Sequence, residues 1–385
     1  MVFDDINERS LRRRAGTKWN YYPEDVLPAW VADMDFVVAE PIRAALRAAV
    51  EASDFGYPQS AEDAGLTRLF AERVAQRFGW QIDPADTLVL GDVVQGLYAA
   101  LETLSGPDAG VVIQTPIYPP FLHAAAQTGR RARRCALVLR ADGYQIDFAA
   151  LEASIDSGTE VVMLCNPHNP TGRVFAREEL ERIGALACQH DLTIVSDEIH
   201  ADLILDDVRH QPIAAIDAEI AARTVTLMAP SKAFNIAGLR MAFAHFGSRE
   251  LKQRFRRMPD HVRGGINALS IAAVTAAWRE CQPWLDEILI QLRSNRELVT
   301  RFVRERWPQV GFFPPQATYL AWLDMRALEL SPSPQAFMLA QARVALNDGP
   351  TFGAEGAGFV RLNFATSPAL LEEILERMDA ALCSR

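Results

Sequence analysis

Six short apolar runs dominate the middle of the chain: Thr87 to Leu90, Gly110 to Gln114, Glu160 to Cys165, Leu192 to Ser196, Thr224 to Met228 and Met241 to Phe246. They are rich in Val, Ile and Leu, as strands covered on both faces are. Helical stretches such as Glu178 to His190 separate several of them. Strand–helix alternation of this kind predicts an α/β fold with a mainly parallel sheet between two layers of helices. In such sheets ligands bind beyond the carboxyl ends of the strands, so the residues just past each run are the ones to question.

The ends of the chain read differently. A helix pattern begins at Pro41, with proline in its first turn. After about Ala276 a charge-rich helix runs through Trp284 to Arg306. Two further strand candidates follow, Thr318 to Leu323 and Phe359 to Phe364, and then a closing helix, Pro368 to Leu382. A chain of 385 residues accommodates two domains. The expected division is a large α/β domain over 41–276 and a smaller α+β domain over 277–385, with residues 1–40 packed onto the latter. That first segment is polar and without a clear period, and is expected to wrap a surface.

Charge and cysteine content exclude several classes. With 39 Lys and Arg against 49 Asp and Glu the formal net charge is −10, which lacks the basic footprint of a nucleic-acid binder. The basic runs Arg12 to Arg14 and Arg130 to Arg134 read as solvated surface or channel edges. Five cysteines, none in a CxxC pair, argue against a disulfide framework or a zinc site. Cys165 ends an apolar run and reads as a small core residue. Met1 to Asp5 lack the apolar segment of a signal peptide, and no apolar run is long enough for a bilayer. A cytoplasmic protein is expected, with no membrane and no metal.

The chemistry gathers in Met228 to Arg240, where Lys232 follows an apolar strand. A lysine in a low-dielectric pocket loses charge, and its neutral amine attacks carbonyls; an exposed loop lysine is the alternative. Asp197, just past Leu192 to Ser196, fits a helix cap as well as a ligand contact. Asn169, in Asn-Pro-Thr-Gly, fits turn chemistry by itself. Gly91 to Gly96 stand at a strand end where the backbone N–H groups of Val93 and Val94 suit a phosphate. Asp92 within that loop would repel the phosphate, so its carboxylate must point away or cap the helix.

Ser231-Lys232 followed by Phe-Asn-Ile-Ala-Gly-Leu resembles the cofactor-lysine segment of fold-type I pyridoxal-phosphate enzymes. The likeness is greatest to the cystathionine β-lyases and C–S lyases related to the maltose-regulon modulator protein. Trp30 to Phe36, Phe55-Gly56-Tyr57, Thr115 to Phe121, Cys165 to Gly172, Ser196 to Leu203 and Gly358 to Phe364 agree with it, in order, over nearly the whole chain. The resemblance implies pyridoxal 5'-phosphate held by Lys232 as a Schiff base. Asp197 would face the ring nitrogen, Asn169 the phenolic oxygen and Tyr118 the ring face, with His200 beside them. Ser231, Arg240, Val93 and Val94 would hold the phosphate. Tyr57 would reach the phosphate of a neighbouring subunit, which implies a homodimer. Arg361 would clamp the substrate carboxylate, a task suited to a planar fork of donors. Tyr118, Asn169 and Ala32 would also touch substrate, Ala32 because Trp30 to Phe36 resembles the segment that closes over it.

The resemblance implies α,β-elimination from cystathionine or another S-substituted cysteine, giving a thiol, pyruvate and ammonia. His200 stands where the aspartate aminotransferases carry a tyrosine, which favours the lyase; Arg240, eight residues after Lys232, is neutral or mildly favours an aminotransferase. Besides the aminotransferase, a biosynthetic relative acting on a bulky S-conjugated cysteine and a regulator-binding modulator protein stay open.

Overall fold

Seven strands form the central sheet of the computed structural model, which describes residues 6–384; the reading of Met1 to Asp5 lies outside the described residues. In chain order they are β1 (Thr87–Leu90), β2 (Gly110–Thr115), β3 (Arg131–Ala136), β4 (Thr159–Cys165), β5 (Thr193–Asp197), β6 (Thr224–Met228) and β7 (Ala242–Phe246). Their spatial order is β1-β7-β6-β5-β4-β2-β3. All neighbours are parallel except β7, which runs antiparallel to both β1 and β6. Every residue of β5 and β6 is buried, which is why both read as unbroken apolar runs rather than alternating ones.

A second sheet of four antiparallel strands lies towards the C-terminus: β8 (Gly311–Phe312), β9 (Leu320–Asp324), β10 (Asn347–Asp348) and β11 (Phe359–Asn363), in the order β8-β9-β11-β10. The helices α1 (Glu40–Glu51), α2 (Val93–Leu104), α3 (Arg177–Gln189), α4 (Ala268–Glu280), α5 (Gln282–Arg306) and α6 (Pro368–Cys383) pack around the two sheets. Proline stands in the first turn of α1, α5 and α6, where its missing N–H is no loss. No helix among the described residues is long and apolar enough to cross a membrane.

Three sequence readings need correction. The run Arg130 to Arg134 is not simply solvated surface: Arg131–Ala136 is the parallel edge strand β3, paired residue for residue with β2. Its charged side chains hide the strand because an edge facing solvent needs no apolar face. Arg130 itself is buried and donates to the carbonyl of Ser105 at 2.8 Å and to its hydroxyl at 3.1 Å, closing the C-terminal end of α2. Second, the N-terminal segment does more than wrap a surface. Lys18, Trp19 and Asp35 are all buried, and Asp35 accepts from Lys18 Nζ at 2.9 Å and from Trp19 Nε1 at 2.7 Å. Leu27–Pro28 also pairs in parallel with Val344–Ala345. Third, the strand expected from Thr318 starts at Leu320, because Thr318 has φ +73. The short strands β8 and β10 carry too few residues for any period to show.

Replacing Arg130 with alanine would strand the carbonyls at the end of α2. Denaturant titration of Arg130→Ala is expected to show a loss of roughly 1–3 kcal/mol, the usual cost of buried polar groups left without partners.

Candidate active site

The carboxyl ends of β1, β4, β5 and β6 open onto one cavity of about 400 Å³. Most of the residues singled out in the sequence line it: Ala32, Val93, Val94, Tyr118, Asn169, Asp197, His200, Ser231, Lys232 and Arg240. They come from six separate stretches of chain, five of them brought together because parallel strands deliver their following loops to the same edge.

Lys232 sits four residues past β6. Its Nζ donates to the carbonyl of Ala32 at 2.8 Å and stands 4.0 Å from Asp33 Oδ1. Burial pushes its pKa down, opposed by the charge of Asp33. Asp197 is the last residue of β5. One of its oxygens accepts from the N–H of Ile199 at 3.0 Å. Burial raises its pKa to about 7, outweighing that hydrogen bond. His200 is buried behind it, held neutral by burial and by the nearby Lys232 charge, with its pKa lowered to about 3. Its ring lies edge-on to that of Tyr319, with centroids 6.3 Å apart.

Arg361, on β11 of the second sheet, does not itself line the cavity but bonds to Asn169, which does. Its Nη1 donates to Asn169 Oδ1 at 2.9 Å, and its Nη2 to the carbonyl of Trp30 at 3.2 Å and to Asn347 Oδ1. The guanidinium lies over the Phe352 ring at 4.9 Å. All its partners are neutral, its Nε has none, and burial lowers its pKa to about 10. Asn169 is set by the turn Asn169-Pro170-Thr171-Gly172, whose carbonyl at Asn169 takes the N–H of Tyr118 at 3.1 Å. Gly172, at φ +69, passes so close to Pro315 that a Cβ would collide with it, so this turn admits only glycine there.

Helix α2 points its N-terminus at the cavity. Asp92 caps it, accepting from the N–H of Gln95 at 2.7 Å, and pairs with Arg240 at 3.0 Å. The expected conflict between Asp92 and an anion is thus met by both routes, a cap and a cation. Arg240 is largely exposed. Tyr57 lies away from the cavity and is fully exposed.

Several polar residues at the site have a role that the sequence scarcely signals. Tyr319 is buried and its hydroxyl donates to the carbonyl of Ala32 at 2.7 Å. Asn235, three residues after Lys232 and at φ +56, clasps Met34 and Phe36 through their backbone. Asn363 donates to the carbonyls of Val31 and Asp33 at 2.6 and 2.7 Å. An asparagine beside a motif lysine or a motif arginine was the available hint; the partners, about two hundred or more residues away, were not legible.

The residues present fit pyridoxal phosphate. Asp197 is buried and makes no ion pair among the described residues, so a protonated ring nitrogen would supply its counter-charge. The amine of Lys232 is biased towards its neutral, nucleophilic form. The N-terminus of α2 and Ser231 face the same space, where a phosphate would be favoured.

The sequence profile of the aminotransferase class I and II family matches residues 32–378. Cystathionine beta-lyase PatB of Bacillus subtilis is 37% identical over 390 residues, which cover 99% of this chain and 100% of the relative. Cystalysin from Treponema denticola, whose crystal structure contains pyridoxal 5'-phosphate, is similar at a TM-score of 0.94 and 31% identity, covering 100% of both chains. OvoB is similar at a TM-score of 0.93 and 39% identity, covering 97% of each.

A carboxyl whose folded pKa is raised binds its proton more tightly folded than unfolded. Its penalty is therefore absent below the unfolded value and grows as pH rises through about 7. In the cofactor-free protein, Asp197→Asn is expected to raise the unfolding free energy at pH 8 by on the order of 2 kcal/mol, with the gain shrinking towards pH 5. Urea titrations at the two pH values measure it.

Proposed function

The chain belongs to the aminotransferase class I and II family, and on that premise we propose that it is a pyridoxal-phosphate-dependent carbon–sulfur lyase. It cleaves cystathionine or another S-substituted L-cysteine by α,β-elimination to a thiol, pyruvate and ammonia. The observation that carries this reading is the placement of Lys232 and Asp197 on one cavity, with Arg361 bonded to Asn169 at its wall: burial favours the neutral, nucleophilic amine of Lys232, while Asp197 and Arg361, which burial pushes towards neutrality, are groups that an oppositely charged ligand would hold ionised. Full-length relatives named as cystathionine beta-lyases support the choice of reaction.

When bound, the cofactor supplies an electron sink for the pair left at Cα. The residues supply the rest. Arg361 takes the substrate carboxylate, which provides the counter-charge its neutral partners do not. Asn169, bonded to Arg361, sets the angle of that fork. The Nζ of Lys232, neutral once displaced by substrate, accepts the Cα proton as general base, and the carbonyl of Ala32 keeps it aimed. Asp197 would hold the ring nitrogen protonated, and Tyr118 would cover the ring face. Tyr319 fixes the carbonyl that fixes Lys232. Ser231, Arg240 and the N–H groups of Val93 and Val94 would hold the phosphate, with His200 packed behind the ring.

The reading extends to assembly. Tyr57 is exposed and remote from the chain's own cavity, as a residue serving a second subunit would be, so we place it at the site of a partner in a homodimer. The large domain is taken as 41–276 and the smaller as 1–40 with 277–385, in the cytoplasm. Arg361 and Asn169 would serve an aminotransferase equally; the products separate the two.

Purified protein is expected to be yellow, and Lys232→Ala colourless and inactive. Incubation with cystathionine should release thiol and pyruvate in equal amounts; conversion to a keto acid only in the presence of a second keto acid would establish an aminotransferase instead. Arg361→Lys keeps the charge but loses the fork, and is expected to lower kcat/KM roughly 100-fold, mostly through KM.

A further inference from the structure

Two consecutive residues of the N-terminal segment meet the amine of Lys232. The carbonyl of Ala32 accepts from Nζ at 2.8 Å, and the carboxylate of Asp33 stands 4.0 Å from it. Among the described residues no other carboxylate comes within ion-pair distance of this amine. The distance is set by the fold, because the main chain of Asp33 is pinned on both sides. Its N–H donates to the carbonyl of Val31 at 2.8 Å, and its own carbonyl accepts from Lys18 Nζ at 3.1 Å and from Asn363 at 2.7 Å. The carbonyl of Ala32 is pinned in turn by the Tyr319 hydroxyl.

The other titratable and charged groups that act on this pair come from several elements. Asp197 and His200 stand at and beyond the end of β5, Arg361 on β11, and Tyr118 and Tyr319 feel the charge of Asp33. Lys18, on the carbonyl of Asp33, is already bound to Asp35, and Arg14 and Arg43 lie on the outer side of Asp33. Only Asp33 and Asp197 can offer Lys232 a negative charge. The pull of Asp33 is the stronger, and Asp197 would be engaged by the ring nitrogen once the cofactor is bound.

The reaction turns this amine into a cation. The Cα–H bond breaks, an N–H bond forms at Nζ, and the electron pair passes into the cofactor ring. By then substrate has displaced Lys232, so the contacts of the free side chain are the ones that apply. Burial penalises the new ammonium. The carbonyl of Ala32 can accept from it but cannot neutralise it, whereas a carboxylate already in place stabilises the charge as it develops.

We propose that Asp33 is the counter-charge of the Lys232 ammonium, a positioning residue that acts through Lys232 to speed Cα deprotonation. This rests on the reading of Lys232 as the general base. It holds for elimination and for amino transfer alike, since both begin with that proton.

The first test needs no cofactor. In cofactor-free protein, acetylation of Lys232 by acetic anhydride across a pH series, read by peptide mass spectrometry, gives the pH at which the amine is half protonated. Asp33→Asn keeps the pinned main chain and loses the charge, and is expected to move that pH down. Asp33→Glu is expected to bring it back towards wild type, and high salt to narrow the gap, because Asp33 is half-exposed. The second test uses holoenzyme and L-alanine, which has no leaving group at Cβ. Wash-in of solvent deuterium at Cα, followed by NMR, reports the proton transfer itself. It is expected to slow roughly three- to tenfold in Asp33→Asn and to recover largely in Asp33→Glu. A labelling pH that does not move in Asp33→Asn, or a glutamate variant as slow as the asparagine one, overturns the proposal. Wild-type holoenzyme that exchanges no Cα hydrogen sinks the reading of Lys232 as base, and the proposal with it. Exchange at the wild-type rate in Asp33→Asn sinks the proposal alone.

Discussion

The carbonyl groups of residues 30 to 36 are what the two halves of the structure hold in common. Ala32 accepts from Lys232, which follows the central sheet, and from Tyr319, which precedes β9 of the second sheet. Trp30 accepts from Arg361 and Val31 from Asn363, both on β11. Asp33 accepts from Lys18 in the N-terminal segment and from Asn363, while Asn235 secures Met34 and Phe36. An irregular, largely covered segment must find a partner for each of its buried backbone groups. Here much of that need is met by the side chains that form the site. Satisfying the strap and positioning the site are therefore one requirement, and a change that loosens either loosens both.

Burial shifts four ionisable groups at the site, each in the direction that discards charge. It raises Asp197 and lowers Lys232, His200 and Arg361. A site of this kind is poorly compensated by itself. Its neutral asparagines and carbonyls orient the charged groups without neutralising them, so a ligand carrying complementary charges meets groups already in place and already desolvated. The strain is tolerable because the surrounding sheets bury continuous apolar layers on both faces of β5 and β6, and loops at the strand ends carry the polar residues.

How much of this could be read without coordinates depended on whether a residue's role is local. The central strands were legible because their burial on both faces writes a run of Val, Ile and Leu into the chain. The edge strand β3 was not, because one side of it meets solvent and arginines serve there as well as apolar residues. Lys232, Asp197 and Asn169 each follow a recognisable strand within a few residues, so their shared location follows from parallel topology alone. Arg361 could be named by its motif, yet its link to Asn169 spans 192 positions.

Local sequence, then, determined the central strands other than β3, the helices with their prolines in the first turn, and the set of loops that would face one another across the sheet edge. Those follow from periodicity and from backbone sterics, which act between near neighbours. Tertiary structure alone decided that Asp35 is buried on Lys18 and Trp19, that Asp92 both caps α2 and pairs with Arg240, and that the Asp33 carboxylate stands 4.0 Å from Lys232 Nζ. Hydrogen-bond partners and desolvation depend on which distant segments are packed together, and no period in a chain records that.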